Sequence, residues 1–192
     1  ITPGKVMKSE CGEIFRNNPN IFTHNDHNDF IQLSTFLLQE KIKGFIRIIE
    51  LPANSLYLLG EKSFFFPYIN TISPECSSFS NWKKEEQDEL EGHLLKEAEQ
   101  ARLELEKIWK KMKVFFDKYP DIFPPEGYSI PLLSIHRYSR YTKQDFIWAF
   151  ECVRTRCFGW HLPATMLVPF ADFLNHSENG ITNCMVNTKF ER

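Results

Sequence analysis

A chain of 192 residues, 42% hydrophobic and with 18 phenylalanines, carries enough apolar material for one packed core and a satellite unit. Its 23 basic and 25 acidic residues leave a formal charge of -2, so no net field draws it to nucleic acid or to an anionic membrane, and none of its apolar runs approaches the roughly 20 residues of a membrane-spanning helix. The cysteines, Cys11, Cys76, Cys152, Cys157 and Cys184, are odd in number, widely spaced and without a C-x-x-C pair, which argues against a disulfide framework or a cysteine zinc site and for a reducing, intracellular compartment.

The opening ITPGKVMKSECGEIF has neither an initiator Met nor a signal-peptide profile, and the chain stops at KFER just after the strand-like NCMVNTKF; both ends suit a piece of a longer protein. From Asn28 to Lys43, Phe30, Leu33, Leu37 and Leu38 recur at helical spacing, and Gly44 stands where a left-handed cap would end the helix. FIRIIEL, Phe45 to Leu51, is β-branched and stopped by Pro52, and reads as a strand or as the approach to a loop. In SFFFPYINTISPEC, Pro67 disfavours a helix at Phe66 and leaves a short helical turn or an irregular packed segment whose aromatics belong to the core.

Between Trp82 and Lys118, apolar residues at steps of three and four, Leu90, Leu94, Ala98, Ala101, Leu105, Ile108, Met112 and Phe115, predict one long helix or two joined near Gly92. Leu105, Ile108, Met112 and Phe115 should face other helices, and the charges between them form a solvated face. Pro120 and the pair Pro124 and Pro125 end the pattern. A further helix is expected from Thr142 or Lys143 through Cys157, with Thr142 as N-cap, Asp145 in its first turn, and Phe146, Ala149, Phe150 and Val153 buried. After Gly159 the pattern turns strand-like at MLVPF and again near the end.

Most clusters of reactive side chains have a plainer explanation. His24-Asn25-Asp26-His27-Asn28-Asp29 holds metal-ligating types, yet Asn and Asp gather before a helix because they cap it, and no metal site is assigned there. Cys157 and His161 lie four apart without a third acidic partner, so no thiol nucleophile is assigned. The sequence contains no G-x-G-x-x-G, Walker loop, G-x-S-x-G or H-E-x-x-H. What remains is LVPFADFLNHSENG, in which an apolar run carries Asp172 and ends in Asn175-His176. A buried carboxylate is costly unless paired, so this stretch is either a satisfied strand-to-turn junction or the floor of a ligand site.

Taken in order, Trp148-Ala149, Thr155-Arg156 and Asp172-x-x-Asn175-His176 resemble the SET-domain methyltransferases of the Rubisco large-subunit methyltransferase-like group, and upstream the helix at 28–43, SFFFPYINTISP and Trp82 with Leu90 and Gly92 follow the order of that group's helical insertion. The resemblance implies an α+β fold, a SET-domain fragment with a large, mainly α-helical insertion: residues 1–23 as a remnant of the N-terminal SET half, 24–150 as the insertion, and 151–192 as the SET core segment with the Asn-His motif. It implies S-adenosyl-L-methionine as cofactor and a protein or peptide substrate methylated on a lysine, with histidine as the second choice. Asn175 would touch the methionine part, the His176 backbone would hold the adenine, Arg156 would face the cofactor carboxylate, and Asp172 would brace the turn or lie beside the cofactor. The group's glycine-rich N-terminal strand and the later segment bearing its tyrosine have no counterpart in these residues, so no catalytic residue is assigned. The competing expectation is a catalytically incomplete SET-like structural or peptide-binding subunit.

Overall fold

The computed structural model describes residues 1–19, 28–46, 63–75, 78, 82–124, 141–159, 162 and 164–174. Two short helices begin the chain, α1 (Pro3–Val6) and α2 (Glu10–Asn17). The Thr2 hydroxyl caps the first, and the second buries Cys11, Ile14 and Phe15.

Helix α3 (Asn28–Ile46) is the centre of the molecule. Every residue from 31 to 40 is buried, so this stretch of the helix has no solvated face and its polar residues must find partners inside. The Ser34 and Thr35 hydroxyls donate to the Phe30 and Ile31 carbonyls, at 2.5 and 2.8 Å. Gln39 Oε1 accepts from the Cys11 thiol at 2.8 Å, its amide nitrogen donates to Glu10, and Glu40 accepts from the Ser63 hydroxyl at 2.6 Å.

Gly44 departs from the expected role. The helix runs on through it to Ile46, and what requires glycine is space: a Cβ there would sit 1.7 Å from the ring of Phe66. Phe45 and Ile46 are accordingly helical rather than the start of a strand, and the rest of FIRIIEL lies outside the described residues. Phe66 itself begins α4 (Phe66–Ile69), the short helical turn expected of SFFFPY.

A turn of helix, α5 (Lys84–Gln87), precedes the long α6 (Gly92–Lys118), so the stretch is two helices with the break before Gly92, whose φ of 60° is readily adopted only without a Cβ. At 27 residues, α6 is about 40 Å long. Leu105, Ile108, Met112 and Phe115 are buried as their spacing requires, while Leu94 is exposed because the first turns project beyond the core. Phe116, Phe123, Tyr141 and Phe146 form an aromatic cluster at its far end, with ring centroids 4.5 Å apart for Phe116 and Phe123 and 4.9 Å for Phe116 and Tyr141.

Helix α7 (Lys143–Arg156) packs along α3. A reciprocal cap starts it: the Thr142 hydroxyl accepts from the Asp145 amide, and the Asp145 carboxylate accepts from the Thr142 amide. All residues from Phe146 to Val153 are buried. Lys41 of α3 bonds Asp145 at 3.0 Å and lies 4.0 Å over the Trp148 ring, tying the two helices at their edge.

Strand β1 (Cys157–Phe158) pairs antiparallel with β2 (Met166–Leu167), Cys157 opposite Leu167. Ile1 joins them: its amino group donates to the Leu167 carbonyl at 2.6 Å, and the Leu167 amide donates back at 2.9 Å. One apolar core connects all of this, from Val6 to Leu167. Among the described residues no helix is long and apolar enough to cross a membrane, and no group of His, Cys, Asp and Glu could hold a metal ion. The strand-like NCMVNTKF, the residues His24 to His27, and Cys76 and Cys184 lie outside the described residues.

Candidate functional site

Arg156 is the last residue of α7, and the antiparallel register that sets Cys157 against Leu167 returns the chain to its side. Beyond Leu167 the backbone reverses at Phe170, with φ 71° and ψ -33°, and enters a 3-10 turn at Ala171–Phe173. That reversal carries Asp172 back onto Arg156, whose Nη1 donates to Asp172 Oδ2 at 3.1 Å. The Asp172 side chain is fully buried although its backbone is partly exposed, and the Arg156 side chain is 27% exposed.

A third residue completes the cluster. The hydroxyl of Tyr68, from α4, donates to the same Oδ2 at 2.7 Å. Its ring packs against both Phe170 and Phe173, with centroids 6.2 Å from each, and the Arg156 guanidinium is 5.8 Å from the Phe173 ring. Burial, and then the neighbouring carboxylate, push the Tyr68 phenol far above its ordinary pKa, so it remains a donor. Asp172 Oδ1, by contrast, is buried and accepts no hydrogen bond among the described residues. An unpaired carboxylate oxygen out of water costs about 1–3 kcal/mol or more, which marks Oδ1 as an acceptor awaiting a donor.

These residues face a cleft of about 530 Å³, bordered by Ser73, Glu75, Cys152, Thr155, Arg156 and Asp172. Its volume lies within the span of small-molecule sites, about 300–1,000 Å³. The far wall is pinned to α7: the Trp148 indole donates to the Ser73 carbonyl at 2.8 Å, and Arg154 donates to the Ser78 hydroxyl at 2.8 Å. Thr155 turns inward to the backbone, its hydroxyl donating to the Glu151 carbonyl at 2.7 Å.

Of the residues expected at a site, Arg156 and Asp172 are brought together on this cleft, while Asn175 and His176 lie outside the described residues. Cys157 is half-buried and its thiol is pushed up by burial, the wrong direction for a nucleophile; His161 lies outside the described residues. Tyr68, Ser73 and Glu75 were not singled out by sequence. The signal for Tyr68 was one polar atom among the aromatics of SFFFPYIN, and a polar tip on a buried aromatic usually has a partner.

No protein-family profile matches the chain, and no curated protein matches it. Solved structures do. The chain is similar to the SET domain of LSMT bound to lysine and AdoHcy, with a TM-score of 0.66 and 23% identity over 95% of this chain and 33% of that one. The same domain bound to methyllysine and AdoHcy superposes with a TM-score of 0.64 at 22% identity, and Rubisco LSMT bound to AdoMet with 0.64 at 24%, over 95% of this chain in both cases. The chain therefore has the SET-domain fold, α+β and dominated by helices, and it spans about a third of the length of the structures it matches.

Proposed function

We propose that this chain is the part of an S-adenosylmethionine-dependent protein N-methyltransferase that grips the amino-acid end of the cofactor, and that the whole protein methylates a lysine, with histidine as the second choice, on a protein or peptide. One observation carries the reading: Arg156 and Asp172 lie together on one cleft of a SET fold, and the buried Asp172 Oδ1 accepts no hydrogen bond among the described residues. An α-amino acid is a zwitterion, and that pair is its electrostatic complement. The cofactor would supply a sulfonium-bound methyl group. Arg156 would hold the carboxylate through the N–H groups that, among the described residues, meet no acceptor, and Asp172 Oδ1 would accept from the ammonium. The fold shared with structures bound to AdoMet, AdoHcy and lysine supports cofactor and substrate class together.

The division into 1–23, 24–150 and 151–192 belongs to the same proposal; α7 runs through residue 150 without a break, so insertion and SET segment would share a helix. Transfer to an amine needs a neutral nucleophile held in line in a dry channel, which is work for positioning rather than for an acid–base triad. Asn175 and His176 are proposed as further cofactor contacts on the sequence resemblance.

Calorimetry with S-adenosylhomocysteine on the full-length protein tests the reading. Arg156→Lys keeps the charge but loses the fork, and Asp172→Asn loses the charge; each removes an interaction of about 1.5–3 kcal/mol and should weaken binding roughly ten- to a hundredfold. A wild-type protein that binds nothing at millimolar ligand overturns the proposal and leaves a structural or peptide-binding subunit in its place.

A further inference from the structure

We infer that Tyr68 is a positioning residue that keeps Asp172 Oδ1 available to a ligand's ammonium by preventing Arg156 from closing on both carboxylate oxygens. The inference rests on the cofactor reading above and concerns how the site is kept open. Arginine and a carboxylate left alone prefer the bidentate fork, two parallel N–H···O bonds. Here the guanidinium uses one nitrogen on one oxygen, at 3.1 Å, and the Tyr68 hydroxyl reaches the same oxygen at 2.7 Å. A carboxylate is planar, so two donors on Oδ2 set the plane and with it the direction of Oδ1. Among the described residues Oδ1 is left without a partner, as suits a binding atom before its ligand arrives.

Tyr68 is well held for this purpose. It is 3% exposed, it packs against the rings of both Phe170 and Phe173, the residues that flank Asp172 in this turn, and its raised pKa keeps the hydroxyl a donor at every physiological pH. It comes from α4, 104 residues before Asp172, so the helical segment controls a group on the strand-and-turn segment.

Tyr68→Phe removes the donor and keeps the ring. Freed of it, Asp172 can rotate into the fork with Arg156, so the variant should still melt cooperatively while binding suffers selectively. S-adenosylhomocysteine, which carries the amino-acid end, should bind about tenfold more weakly, and 5′-methylthioadenosine, which lacks it, should bind within about twofold of wild type. In an Arg156→Lys background, where no fork can form, Tyr68→Phe should add little. Equal losses for both ligands, no loss for either, or a variant that no longer melts cooperatively would each assign the hydroxyl to general stability and overturn the inference. Wild-type protein that binds neither ligand overturns the cofactor reading itself, and the inference with it.

Discussion

Phe170 holds a φ of 71°, the one positive value at a non-glycine residue among the described residues, and its ring is 64% exposed. Such a conformation costs on the order of 1–3 kcal/mol, and here the cost is met where the chain must reverse sharply enough to return Asp172 to Arg156. Phe170→Gly and Phe170→Ala both delete the ring, but only glycine adopts the angle freely, so the glycine variant should be the more stable by about 1 kcal/mol in urea denaturation. An alanine variant as stable as the glycine one would mean that the angle is not imposed by the fold. Tyr68 and Tyr141 give a second residue-scale test. Each is buried and donates to a carboxylate, Asp172 at 2.7 Å and Asp117 at 3.0 Å, and each has its pKa raised, by burial first. A group that holds its proton more tightly when folded contributes stability that is complete below the unfolded pKa, about 10, and is lost as pH rises beyond it. Unfolding free energy should therefore fall above about pH 10 with a slope of up to ~1.4 kcal/mol per pH unit per tyrosine, and Tyr68→Phe or Tyr141→Phe should each flatten it.

Helices α3, α6 and α7 owe their burial to different patterns, and substitutions should show this. Along α6 only one stripe is buried, so Leu105→Ala should cost about 2–5 kcal/mol while Leu94→Ala, at a position 46% exposed, should cost under about 0.5. Equal effects would mean that α6 does not lie against the core by the face observed. On α3 the pressure is steric. Gly44→Ala would gain about 1 kcal/mol of helix propensity but drive a Cβ to within 1.7 Å of the Phe66 ring, and overpacking of that kind costs about 1–3 kcal/mol or more. We expect net destabilisation in chemical denaturation, relieved when Phe66→Ala is added; a stabilised Gly44→Ala single variant would mean that the Phe66 ring does not press on this position.

At the scale of the molecule, helices supply the mass and, among the described residues, a two-stranded sheet with its return turn brings Asp172 to the side chains that α4 and α7 offer. Far-UV circular dichroism of the chain should be dominated by helix, and a β-dominated spectrum would contradict the fold. The helices were legible because their signals are local: the steps of three and four in α6 and the Thr142–Asp145 box of α7 act within a turn or two. Arg156 and Asp172 were singled out by resemblance as candidate cofactor contacts, but their partnership was not legible, since nothing at either position announces an ion pair across a strand return.

Gly44 shows where local reading ends: a glycine near the end of a periodic run signals a cap, and only the approach of Phe66, from another element, reveals that it serves close packing. What the sequence by itself determined is the three long helices α3, α6 and α7, the buried stripe of α6 and the chemistry of the motif residues, because periodicity, caps and side-chain type are properties of neighbours along the chain. What only the tertiary structure decided is that Tyr68 meets Asp172 across 104 residues, that Arg156 meets it across 16, and that Asp172 Oδ1 is left without a partner among the described residues. Those depend on how whole elements settle against one another, and a hydrogen bond demands placement to within a few tenths of an ångström, finer than any pattern of residue types can specify.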